Sequence, residues 1–110
     1  MKSQKIPDWL MLWIWKALMG EIYPNIRAVA ASFSKDRELK IRYYLDRKPK
    51  DGDFESLSMV VTHILANTSS NYDITAVKEE CLYNEQKLSD LDPLDSFIYK
   101  RREYLLDEIV

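Results

Sequence analysis

The chain has 110 residues, 46% of them hydrophobic and 31% charged, with a formal net charge of −2. That suits one core in a single domain over residues 1–110; it excludes a disordered or membrane-embedded chain and a strong global attraction to nucleic acid. The charge is uneven, with 11 bases and 8 acids in residues 1–69 against 5 bases and 10 acids in residues 70–110, which favours a charged partner.

Residues 8–23 read as a helix. Pro7 and Asp8 supply a start, with the aspartate as cap, and Pro24 disfavours helix at Tyr23. The helix is apolar nearly all round: Trp9, Trp13 and Ala17 form one stripe, Leu10, Ile14 and Leu18 the next, Met11, Trp15 and Met19 a third. A surface helix shows one apolar stripe. This one is therefore covered on two sides, the commoner outcome, or keeps an apolar face for a partner. The run Trp9–Trp15 follows Lys2 and Lys5. It lacks a small-residue cleavage site, is interrupted by Lys16 and is too short to span a bilayer. A single cysteine, Cys81, forms no intramolecular disulfide and fits a reducing compartment. The expected location is cytoplasmic.

Ile26 to Arg47 reads as two strands joined by a polar turn at Lys35-Asp36-Arg37. In the second, Leu39, Ile41, Tyr43 and Leu45 point one way and Lys40, Arg42, Tyr44 and Asp46 the other, giving an apolar and a wet face. The cluster Arg47 to Asp53 is a turn. It leads into a second helix over about 53–68, capped by Asp53, with Leu57, Val60, Val61, Ile64 and Leu65 as its buried stripe. A third strand runs from Tyr72 to about Tyr83. Its poor alternation suggests an edge position or a bulge. Residues 84–95 form an acidic connection with spaced leucines and room for one helical turn. The last strand, about 96–102, places Phe97 and Tyr99 on one face and Ile98, Lys100 and Arg102 on the other. The segment 104–110 is a tail with room for a short helical turn. The order is α-β-β-α-β-β. The predicted fold is α+β: a four-stranded, mostly antiparallel sheet with two helices packed on one face.

No catalytic, cofactor or metal motif stands out. His63 and Cys81 are each alone of their kind, and nothing in the sequence supplies either with a base or an orienting acid. Asp51, Asp53 and Glu55 alternate like a weak metal loop but lack the calcium-loop pattern, and helix capping explains them better. Two glycines are too few for a phosphate loop. Lys40, Arg42 and Tyr44, with Lys100, Arg101 and Arg102, could line an RNA-binding sheet, yet the stacking aromatics are missing. The largest one-signed concentration is Glu79, Glu80, Glu85, Asp90, Asp92 and Asp95, either a solvated surface or a patch for a basic partner.

The segments Leu18-Met-Gly-Glu-Ile-Tyr-Pro-Asn-Ile-Arg-Ala-Val-Ala30, Leu39-Lys-Ile-Arg-Tyr-Tyr-Leu-Asp-Arg47 and Tyr99-Lys-Arg-Arg-Glu103 resemble a family of small bacterial immunity proteins. They belong to contact-dependent growth inhibition and related polymorphic toxin systems. The resemblance covers about residues 15–103. It makes Gly20, Pro24 and Asn25 turn residues, and Arg27, Arg42 and Asp46 candidates for pairing on the sheet. It implies a non-enzymatic protein that binds the C-terminal toxin domain of a cognate effector, often a nuclease with a basic cleft. The expected contact surface is Glu79, Glu80, Tyr83, Glu85, Asp90, Asp92 and Asp95, with Tyr83 as anchor. The bases of residues 1–69 suggest a different interface, the first helix or Lys40 and Arg42 against an acidic toxin. The rival classes are a homo-oligomeric scaffold, dimerising through the Trp9–Trp15 helix, and a small RNA-binding module. No cofactor, nucleic acid or membrane is expected as a partner.

Overall fold

The computed structural model describes residues 6–68 and 73–103. These form α1 (Asp8–Leu18), β1 (Ile26–Phe33), β2 (Glu38–Leu45), α2 (Asp51–Ala66), β3 (Ala76–Tyr83), a 3-10 turn (Leu88–Asp90) and β4 (Ser96–Lys100). The expected start of the third strand at Tyr72 and the tail from Tyr104 lie outside the described residues. The fold is α+β in the predicted order, with a mixed sheet of strand order β3-β2-β1-β4. β1 is antiparallel to β2 and to β4, whereas β2 and β3 are parallel. Parallel neighbours need a crossover, and α2 is that crossover.

α1 is shorter than expected. It stops at Leu18, and Gly20 follows at φ +85°, a left-handed conformation that costs glycine little. Asp8 lies in the first turn without capping it; the cap position is Pro7, whose carbonyl accepts from Leu10 and Met11 N–H. α2 begins two residues before Asp53, so the cap falls on Lys50. Asp53 instead reaches back to the Lys50 N–H at 2.7 Å, the N3 half of a capping box.

The main core lies between the helices and one sheet face. Leu10, Ile14, Leu57, Val60 and Ile64 meet Leu39, Ile41, Tyr43 and Leu45 there, all buried. Leu65 departs from the expected stripe: it is 43% exposed, because it lies a further 100° round the helix from Ile64.

Two bulges set the registers. In β1 the pairing shifts at Arg27, so Ile26 joins Val29, Ala31 and Phe33 in the main core, while Ala28 and Ala30 face the other way. In β4 it shifts at Ile98. Phe97 therefore packs on the back face, and Ile98 and Tyr99 both pack on the main core, which corrects the simple alternation expected for this strand. One extra residue reverses every later side chain. β3 is an edge strand, as expected, and is paired to β2 without a bulge from Ala76 to Tyr83.

The back face of the sheet is not wet. Residues 84–95 cross it from β3 to β4, and the parallel course of these two edge strands requires such a crossing. Leu91 is buried against Ala28, Ala30 and Tyr44, with Leu88, Leu94 and Phe97 packed around them. Tyr44 donates from its hydroxyl to the Asp92 carbonyl at 2.8 Å. A period of three leucines thus fastens an otherwise polar segment.

Candidate functional site

The seven predicted contact residues divide by what the sheet does with them. Even-numbered residues of β3 face the back and odd-numbered ones the helices. Glu79 consequently turns to α2 and accepts from the Ser58 hydroxyl at 2.8 Å. Glu80 turns to the back and pairs with Arg42 Nε at 2.7 Å. Arg42 also donates to the Tyr44 hydroxyl at 3.0 Å and stacks over its ring. Burial opposes the Arg42 charge, and the hydrogen bonds to Tyr44 and Glu80 outweigh it, raising its pKa. Asp95 is used by the backbone: its Oδ2 accepts the Phe33 N–H at 2.9 Å, and its own N–H donates to Ala31.

Four more residues remain outward, beside Glu79, which stays exposed despite its bond to Ser58. Tyr83, 40% exposed, ends β3, and its hydroxyl donates to the Glu85 carboxylate. Asp90 closes the 3-10 turn and is exposed. The Asp92 side chain is 67% exposed and 3.9 Å from Arg42 Nη1, too open for that pair to hold it firmly. Asp92 Oδ1 accepts the Leu94 N–H at 2.9 Å, supporting Leu94 at φ +56°. The leucine spacing that turns these carboxylates outward is visible in the sequence. The diversion of Glu80 and Asp95 is not, because their partners lie more than 30 residues away.

A second exposed surface lies on α1. Leu10, Ile14, Ala17 and Leu18 are buried, whereas Trp9, Leu12, Trp15 and Met19 are 39%, 45%, 53% and 79% exposed. The helix that is apolar all round keeps one apolar face open. Next to it, Trp15, Met19 and Gly20 line a shallow groove with Ile22, Ile98 and Tyr99.

The charged residues singled out by sequence pair with others than each other. Arg27, 6% exposed, holds Glu103 with two bonds of 2.8 and 2.6 Å and gives a third to the Asn84 carbonyl at 2.7 Å. Arg101 bridges Glu103 and Asp46 at 2.9 and 2.8 Å, and Asn25 donates to Asp46. This network ties the end of β4 to the starts of β1 and of the connection.

The groups considered for catalysis are placed differently from one another. His63 is exposed on α2. Cys81 is buried and its pKa is pushed up to about 12, by burial first and then by the charges of Asp53 and Glu79; a protonated thiol is the reverse of an activated nucleophile. Among the described residues, no group of three His, Cys, Asp or Glu side chains could hold a metal ion, and no helix is long and apolar enough to cross a membrane. The arrangement offers surfaces for a macromolecule: an acidic strip fastened to the sheet, and an apolar helix face.

No curated protein matches the chain. The family model described as MafI2 immunity protein matches residues 7–103, a span that includes both helices and all four strands, and the chain belongs to that family.

Proposed function

We propose that the protein neutralises the C-terminal toxin domain of a cognate effector, by tight association without catalysis, in the cytoplasm of the cell that makes it. The target is a nuclease whose basic cleft is met by the acidic strip. The observation that carries this reading is the fastening of residues 84–95. Three leucines and the Tyr44 hydroxyl hold the segment on the sheet, so Glu85, Asp90 and Asp92 form a preorganised acidic surface beside Tyr83. Such a surface steers a cationic partner and sets its orientation. Of the seven residues, these four and the exposed Glu79 face solvent and are open to the toxin, while Glu80 and Asp95 hold the strip in place.

The test begins with affinity capture from the native bacterium and expression of the captured effector's C-terminal domain with and without this protein. Growth rescued only in its presence is the expected result. The double charge reversal Asp90→Lys with Asp92→Lys is then expected to weaken toxin binding at least tenfold by calorimetry. Asp92→Asn, which keeps an acceptor for the Leu94 N–H, is the control for loop integrity. Unchanged affinity in the folded double variant would remove the acidic strip from the interface.

The open face of α1 supports a second reading, a homodimer through Trp9, Leu12, Trp15 and Met19. Light scattering of the wild type is expected to show a dimer that Trp15→Lys converts to monomer. A wild-type monomer at micromolar concentration would refute it.

A further inference from the structure

The outer edge of β3 is an eight-residue row of backbone groups with no strand beside it among the described residues. Which groups point outward follows from the bonds at the ends of β2. The Asp46 N–H donates to Asn25, and the Glu38 carbonyl accepts from Ser34, so even-numbered residues of β2 bond towards β1 and odd-numbered ones towards β3. In a parallel ladder each such residue bonds to the two neighbours of the residue level with it. Leu45 lies level with Tyr83, and its carbonyl accepts from Asn84 N–H at 3.2 Å. The even-numbered residues of β3 are therefore consumed by β2. The N–H and C=O groups of Val77, Glu79, Cys81 and Tyr83 point out along the open edge.

Proteins blunt such edges with short strands, bulges, proline or inward charges. β3 has full length, no bulge and no proline, and is guarded only by Lys78, Glu79 and Glu80 at its middle. Exposed apolar side chains border it as well. Leu82 and Tyr83 are each 40% exposed, and Phe54 and Leu65 are 45% and 43% exposed. Phe54 and Leu65 stand four residues before and seven after Ser58, which touches Glu79, so they share the stripe of α2 nearest this edge.

We infer that the toxin domain binds by adding an extended segment as a fifth strand to β3, with main-chain bonds to Val77, Glu79 and Cys81. The segment carries a basic residue to meet Glu79 or Glu85 and apolar residues to cover Tyr83 and Leu82. Backbone bonds supply affinity in this mode, and side chains on alternate positions supply specificity. Carboxylates at mid-strand and at the strand end select a cationic segment over a second copy of the same edge. The inference rests on the immunity reading above and names the geometry of that association.

Residue-resolved amide exchange of the full chain, free and with the inactivated toxin domain whose lethality it relieves, is the test. The Val77, Glu79 and Cys81 amides should slow at least tenfold in the complex. Glu79→Pro, which beyond the carboxylate that Glu79→Ala also loses removes only an outward N–H and leaves the ladder to β2 intact, should lose at least thirtyfold in affinity. Glu79→Ala should lose less than fivefold. Toxin bound with β3 amides unchanged, or bound equally well by folded Glu79→Pro, overturns the added strand and leaves immunity standing. Protection of β3 that grows with the protein's own concentration, without toxin, also overturns it, in favour of self-pairing. If no effector domain is bound or neutralised at all, the immunity reading falls first and this inference with it. Exchange in the unaltered protein decides the matter even where the proline variant fails to fold.

Discussion

Asp53→Ala is expected to destabilise the fold by about 3 kcal/mol, lowering Tm by about 10–15 °C. Asp53 is 2% exposed and joins the segment before β1 to the turn that opens α2. It takes Arg47 at 2.6 and 3.2 Å, the Lys50 N–H at 2.7 Å and the Tyr23 hydroxyl. Its loss leaves the N-terminal turn of α2 without its reciprocal bond and Tyr23 without an acceptor. Arg47, with its side chain 31% exposed, turns to water, which keeps the cost at the low end for a broken buried pair. The pH dependence has a definite sign. Burial raises the Asp53 pKa, but the bonds from Arg47, Tyr23 and Lys50 outweigh it and hold it down to about 2. A folded pKa below the unfolded value gives stability that is full above about pH 4 and is lost as pH falls towards 2. Denaturant titrations of wild type and Asp53→Asn should therefore converge over that interval. Parallel curves from pH 5 to 2 would show that the carboxylate contributes no charge-dependent stability.

Leu91→Asp is expected to abolish neutralisation, with at least a hundredfold loss of toxin affinity, without replacing any residue of the acidic strip. Leu91 is 4% exposed, at the centre of the back-face cluster. A carboxylate there lies against Ala28 and Ala30, and the Tyr44 hydroxyl is already donated to the Asp92 carbonyl, so the segment must leave the sheet to hydrate it. The strip then loses its fixed shape, and binding must supply the ordering that the leucines now provide. Leu91→Ala should fall between, costing about 2 kcal/mol of stability and roughly tenfold in affinity. The main core should persist in both, because the helices pack on the opposite face; circular dichroism checks this. Full affinity in Leu91→Asp would mean that the toxin does not use residues 84–95 in their folded arrangement, and would shift weight to the α1 face.

Much of the fold was legible because its signals are local. Alternation in Leu39–Leu45 marks a strand with one buried face, and the spacing of Leu57, Val60, Val61 and Ile64 marks a helix. Each follows from the geometry of a single element. The nearly all-apolar periphery of α1 left two outcomes open, cover on two sides as the commoner or an open apolar face, and the structure shows the open face. The failures share a cause. The bulge at Ile98 put Tyr99 on the same face as Ile98 and opposite Phe97, against the expected alternation, and a bulge is set by pairing across strands. Leu65 was placed inside because it continues the four-residue spacing from Val61, but it lies at the far edge of the stripe and is 43% exposed. Tyr44 was placed on a wet face because the covering segment lies 47 residues further on, at Leu91.

The candidate surface divides in the same way. That residues 79–95 are rich in acids, and that Leu88, Leu91 and Leu94 recur every third position, is written in the chain and needs no partner to be seen. Which carboxylates are free is a property of the assembled sheet. Glu80 is neutralised because β3 lies parallel to β2 and brings it level with Arg42. Asp95 is occupied because the connection crosses behind β1 to reach Phe33. The poor alternation of the third strand pointed to an edge position or a bulge, but that its partner is β2 and its other side stays open is a product of strand order. Local pattern fixes the element and its greasy side, because those depend on spacing along one backbone. Free charge and free edge depend on contacts between residues far apart in sequence, and only the packed molecule brings those together.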